Sequence, residues 1–193
     1  MSGIEPSWLN RHARTDISIQ DWKILQAKRL FARTDEWLDR GAGVRLLEDP
    51  RLAAVVVDAI NHFAGQRYDV WAFVVMPNHL HWLFRARDDW VARLGDGIKK
   101  RPSRDRIMHT LKLHTSLECN KVRGQAGTFW QDESYDHCVR DEEELGRIIE
   151  YIEMNPVRAG LVREAHQWPY SSAVLRKAKN LAFHEPLPCG AGR

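Results

Sequence analysis

Cysteine is scarce in this chain: Cys119, Cys138 and Cys189 are odd in number and far apart. With no Cys-x-x-Cys pair, they exclude both a disulfide framework and a thiolate zinc site, and they read as reduced thiols. Apolar runs long enough to span a bilayer are missing, and the opening MSGIEPSWLNRHARTD has no apolar core of the signal-peptide kind. A cytoplasmic protein with no membrane partner is therefore expected. Internal repeats are absent. Net charge is only +3, which admits nucleic acid through local basic patches but does not demand it. Against these absences stand 193 residues, 44% of them hydrophobic, enough for one core, and eight tryptophans, whose usual work is core filling.

Helix signals come first along the chain. SIQDWKILQAKRLFARTDEWLD, residues 18–39, has helix-forming composition followed by Gly41 and Gly43. DPRLAAVVVDAINHFAG then offers Asp49 as cap, Pro50 at the first helical position and Gly65 as stop, with Leu52, Val55, Val56, Ala59, Ile60 and Phe63 on one stripe. YDVWAFVVM and HLHWLFRA, joined by Pro77-Asn78, read as an antiparallel hairpin closed by a type I turn. A helix from Asp105 to Val122 carries Ile107, Leu111, Leu113 and Leu117, and TFWQDESYDHCVRD reads as a further strand. DEEELGRIIEYIEMNP has Asp141 and Glu144 in capping-box spacing, and Pro156 is expected to end this helix near Asn155. The mixture predicts an α+β fold. Domain limits are expected at 1–46, a helical extension; 47–175, the main folded domain; and 176–193, a flexible tail.

Within the hairpin, VVMPNHLHWLF places two imidazoles two residues apart. Strand alternation sends His79, His81 and Leu83 to one face, and Leu80, Trp82 and Phe84 to the other. Two imidazoles so placed can reach one cation and leave coordination positions open, although such pairs, taken alone, are more often ordinary polar residues on a half-exposed sheet. On the last helix Leu145, Ile148, Ile149 and Ile152 form the buried stripe, and Tyr151 and Asn155 stack one turn apart along its border. A border tyrosine and an asparagine before proline are by themselves structural; the histidines give them a chemical reading.

The string MPNHLHWLF, with FWQDESYDHCVRDEEELGRIIEYIEMNPVRAGLV and WPYSS, resembles the single-tyrosine HUH transposases, in the branch of REP-associated tyrosine transposases. The likeness runs from about Leu47 to Ala173. It implies a ferredoxin-like antiparallel sheet flanked by helices, and an enzyme that binds a hairpin in single-stranded DNA and cuts beside it. It also implies that His79, His81 and Asn155 hold a divalent metal, Mg2+ or Mn2+, and that Tyr151 is the nucleophile. Imidazoles alone leave zinc open. The expected products are a 5′-phosphotyrosine link and a free 3′ hydroxyl, with monomer and homodimer both open. Lys99, Lys100, Arg101, Arg104 and Arg106 lie in KKRPSRDR, where they can neutralise phosphates or form a solvated linker. His137 and Trp130 read as a sheet residue and a core indole, and His62, His109, His114 and His166 receive no role.

The front of the chain departs from the family. The usual first strand has no counterpart in residues 1–18 beyond a faint DISIQ, so that strand is absent or replaced, which would leave open sheet edges. Ser134 and Asp132 stand where the family pattern has an aromatic and a basic residue, respectively. A second hypothesis is therefore carried: a degenerate or domesticated relative that binds structured single-stranded DNA without cutting. A small-molecule metal hydrolase ranks below both, because NHLHW supplies no third ligand close by.

Overall fold

The computed structural model describes residues 44–95, 101–131, 138–182 and 185–188, all within the second of the two units into which the chain divides, Leu38–Arg193. A 3-10 turn, Leu46–Glu48, leads into α1, Pro50–His62. Asp49 caps α1 by accepting from the Arg51 N–H, and Pro50 takes a position whose missing N–H would have no helical partner anyway. Strands β1, Tyr68–Val75, and β2, Leu80–Ala86, follow, then α2, Asp88–Arg93, and α3, Ser103–Arg123. The order closes with α4, Glu142–Arg158, a 3-10 turn at Ala165–Gln167, and α5, Ser172–Lys179. This is an α+β fold with an antiparallel hairpin between helices. No helix among the described residues is long and apolar enough to cross a membrane.

The hairpin is a middle layer. Tyr68, Val70, Phe73 and Val75 join the cluster built with Leu52, Val56 and Ile60 of α1 and Ile107 and Leu111 of α3; Ala72, Val74 and Met76 join Ile149 and Ile152 of α4. Strict alternation would not give that division. A bulge between Val70 and Ala72 inserts Trp71 as an extra residue and switches the parity of β1, so residues 68 and 70 share a face with 73 and 75. Burial on both faces explains why β1 is an almost unbroken apolar run. At about 1.5–3 kcal/mol for each fully buried large apolar side chain, these layers dominate the fold's stability.

The edge of β1 away from β2 is occupied by the WPYSS stretch. Val75 N–H donates to the Tyr170 carbonyl at 2.9 Å, Trp168 Nε1 donates to the Val75 carbonyl at 2.9 Å, and Phe73 N–H donates to Ser172 Oγ at 3.1 Å. The Leu187 N–H donates to the Val70 carbonyl at 2.7 Å.

Several expectations change. Helix α4 does not stop at Asn155 but continues through Pro156 to Arg158. Proline forfeits its own N–H and crowds the carbonyl one turn back, yet the next turn still closes with Ala159 N–H donating to the Asn155 carbonyl at 2.9 Å. On α3 the buried stripe is Ile107, Leu111, Thr115 and Cys119, whereas Leu113 and Leu117 are exposed, because spacings of two and six from Leu111 turn both side chains away from that stripe. The segment from 176 onward is not uniformly a loose tail: Arg176 and Leu187 are both buried, the first by an ion pair and the second by apolar packing. Of the strand expected in TFWQDESYDHCVRD, residues 128–131 and 138–140 are not strand; 132–137, with Asp132, Ser134 and His137, lie outside the described residues. The helix expected at 18–39 and the question of the first strand also lie outside them. Among the described residues the sheet has two strands.

Candidate active site

Placement of the two histidines begins with the turn. Met76 N–H donates to the His79 carbonyl at 2.9 Å, and the Pro77 carbonyl accepts from Leu47 N–H at 2.9 Å, so the turn is pinned to the body. Asn78 has no positive φ, as a type I turn requires. His79 closes the turn just before β2, and His81 sits opposite Val74 in the ladder. Both rings are buried at 8% and 9% exposure.

Their nitrogens converge. His79 Nε2 lies 3.1 Å from His81 Nε2, with the rings nearly perpendicular. The other side of the His79 ring donates from Nδ1–H to Asn78 Oδ1 at 2.8 Å, an arrangement that fixes the tautomer and leaves the Nε2 lone pair facing His81. Burial, reinforced by the neighbouring His81, pushes the His79 pKa down to about 3; burial pushes that of His81 down to about 4. Both imidazoles are therefore neutral near pH 7, the form that can ligate a metal.

Tyr151 comes from α4, which packs on the same face of the hairpin. Its ring meets His81 edge to face with centroids 5.8 Å apart. One turn later, Asn155 is fully buried, and neither its amide nitrogen nor its oxygen has a hydrogen-bond partner. Leaving such groups unsatisfied costs on the order of 1–3 kcal/mol each, so the amide is placed for something other than packing. The one other buried side-chain atom without a partner among the described residues is Trp82 Nε1, on the opposite face of the hairpin, where its ring packs against those of Tyr68 and Phe84.

A buried polar network holds α4 in register with the hairpin, and nothing local in the sequence signals it. Glu153, between Tyr151 and Asn155 but facing away, accepts from Ser172 Oγ at 2.7 Å and from Arg176 Nε at 3.0 Å. Ser172 in turn accepts from Phe73 N–H, and Arg176 Nη2 donates to the Trp71 carbonyl at 2.7 Å, in the bulge. The Arg176 fork also reaches the carbonyls of Ala182 and Glu185. At the start of α4, Asp141 accepts from Glu144 N–H, and Glu144 reaches back to the Arg140 N–H rather than to the cap's own.

The spacing of these donors suits a cation. Two nitrogens each about 2.1 Å from one ion and at right angles to each other would stand about 3 Å apart, close to the separation of the two Nε2 atoms. No group of three or more His, Cys, Asp or Glu suited to a metal occurs among the described residues. The protein would thus contribute two imidazoles and the unpartnered amide of Asn155, leaving positions for substrate oxygens. The residues fit.

The basic segment lies elsewhere. Arg101 and Arg104 are exposed and Arg106 half-buried at the start of α3, which packs on the other side of the hairpin from the histidines. Arg104 pairs with Asp105 at 2.9 Å, and Arg106 Nε donates to the Arg101 carbonyl at 3.0 Å. Lys99 and Lys100 lie outside the described residues.

No family model matches the chain. Among curated proteins, it is 26% identical over 140 residues to a protein of Haemophilus influenzae provisionally named a REP-associated tyrosine transposase, covering 66% of this chain and 75% of that one. It is also 26% identical over 107 residues to the REP-associated tyrosine transposase of Escherichia coli K12, and spans 54% of each of the two chains. A solved structure of a REP-associated tyrosine transposase bound to a REP hairpin superimposes with a TM-score of 0.52 at 18% identity, covering 79% of this chain and 84% of that one. The likeness carried by MPNHLHWLF, YIEMNPVRAGLV and WPYSS thus extends beyond those motifs: the chain is similar in sequence, and in fold, to REP-associated tyrosine transposases.

Proposed function

We propose that the chain is a metal-dependent single-stranded DNA endonuclease and strand transferase that acts at hairpin repeats through a 5′-phosphotyrosine intermediate. The observation that carries this reading is the approach of the Tyr151 ring to His81, whose Nε2 converges with that of His79. A transposase-like role is supported by the relatives' names, and a hairpin substrate by the ligand of the solved relative.

His79, His81 and Asn155 would hold the cation, Mg2+ or Mn2+. A bound divalent ion supplies electrophilic activation, drawing charge from the non-bridging oxygens of the scissile phosphate. Such help matters because a phenol with an ordinary pKa of about 10 is a weak nucleophile at neutral pH. The Tyr151 oxygen forms a bond to phosphorus as its proton passes to solvent. The bond from phosphorus to the 3′ oxygen breaks, its electron pair stays on that oxygen, and a proton completes the 3′ hydroxyl. One phosphoester replaces another, so a hydroxyl from a second strand can reverse the exchange and rejoin DNA.

The test uses purified protein and end-labelled single-stranded DNA carrying the hairpin repeats that flank its gene, with Mg2+ or Mn2+. A covalent adduct is expected that disappears in Tyr151→Phe and with chelator. Hairpin binding with no adduct, in protein shown to be folded, would overturn the nuclease reading in favour of a binding-only relative.

A further inference from the structure

We propose that Arg158 is a further catalytic residue of this site, donating to the non-bridging oxygens of the scissile phosphate from its position over the Tyr151 ring. The inference rests on the nuclease reading above and adds the residue that grips the substrate's reacting group.

Helix geometry brings the two together. Arg158 follows Tyr151 by seven residues, which at 100° per residue returns it to within about 20° of the same line, two turns along. Tyr151, Asn155 and Arg158 therefore occupy one stripe of α4, and the guanidinium carbon stands 4.8 Å from the centroid of the tyrosine ring. The extension of α4 through Pro156 makes this possible, because a helix stopping at Asn155 would not carry Arg158 onto that line.

Among the arginines that pair with no carboxylate, Arg158 is the one whose guanidinium lies over the Tyr151 ring. Arg45, Arg51, Arg85, Arg87, Arg93, Arg104, Arg147 and Arg176 each pair with a carboxylate. Arg158 is exposed and has no carboxylate partner among the described residues. The acidic residue of α4 closest to it in sequence, Glu153, is engaged with Arg176. Stacking on tyrosine uses only the face of the guanidinium, while its N–H donors radiate in the plane and suit two oxygens of a phosphate at once.

The competing explanation is a cation placed to suit the negative end of α4, held by stacking. Those effects are small at an exposed site and ask nothing of the DNA. They predict no change in chemistry when the charge is removed. A phosphate grip that strengthens as negative charge builds on the transferring group predicts a large one.

Arg158→Gln and Arg158→Lys would be compared with wild type for the rate of adduct formation at saturating hairpin DNA, hairpin affinity and circular dichroism. Adduct formation is expected to fall about 100-fold in Arg158→Gln and less in Arg158→Lys, with affinity changed no more than about threefold and the fold intact, as befits an exposed side chain. Rates within about threefold of wild type, or a loss that vanishes once DNA is saturating, would overturn the assignment while leaving the nuclease reading in place. Wild-type protein that forms no adduct would instead sink the nuclease reading, and the role of Arg158 with it.

Discussion

Glu153 and Asn155 lie two residues apart on the same helix, both polar and both buried at 5% exposure or less, yet their surroundings are opposite. Glu153 faces Ser172 and Arg176 with its charge neutralised and its oxygen doubly hydrogen-bonded. Asn155 has no partner at either end of its amide. Burying a polar group is tolerable when its hydrogen bonds are remade and expensive when they are not. The difference separates the two edges of α4: one is finished by the protein itself, while the other, lined by Tyr151, Asn155 and Arg158, is where the proposed cation and phosphate would sit.

The strongest way to break that comparison is Glu153→Ala. It strands the Arg176 cation in a buried site, and unfolding in urea should show a loss of about 3–5 kcal/mol. Stability within 1 kcal/mol of wild type would mean that the network is not what holds α4 to β1. A smaller effect should come from adding Mn2+ to the metal-free protein. At a concentration 100 times the dissociation constant, stability should rise by about 2.7 kcal/mol, and His81→Ala should abolish most of the rise. An equal rise in that variant would place the ion elsewhere. The smallest effect is expected from Asn155→Ala without metal. No hydrogen bond is lost, and relief of the unsatisfied amide offsets the small cavity, so stability should stay within about 1 kcal/mol of wild type. The same variant should show a weaker response to Mn2+; a loss as large as that of Glu153→Ala would erase the distinction between the two edges.

Much of this was legible in the sequence because the signals are local. Asp49-Pro50 starts α1, alternation and Pro77-Asn78 give the hairpin, and Asp141 caps α4, each within a few residues of the feature it specifies. The shared face of His79 and His81 follows from strand periodicity, and the approach of His81 to Tyr151 follows once α4 packs on that face. What escaped has a common cause in distance along the chain. The bulge at Trp71 depends on which faces the helices cover, and the Glu153–Arg176 pair joins residues 23 apart. The continuation of α4 beyond Asn155 escaped for a different reason: a proline near a helix end costs one hydrogen bond, and the buried packing of Pro156 outweighs it. Leu187 looked like tail because nothing near it in sequence announces the Val70 carbonyl as its partner.

The occupied edge of β1 also has a consequence in time. Its partners Trp168, Ser172 and Arg176 lie 93, 99 and 105 residues downstream of the backbone groups they meet. During synthesis at about 5–20 residues per second, the hairpin and α1 can assemble well before WPYSS leaves the ribosome, and for those seconds β1 presents an open apolar edge to other nascent chains. A ribosome that stalls between Arg158 and Trp168 would release a chain holding His79, His81, Tyr151 and Asn155 but lacking the stretch that guards this edge. Such fragments should aggregate rather than act.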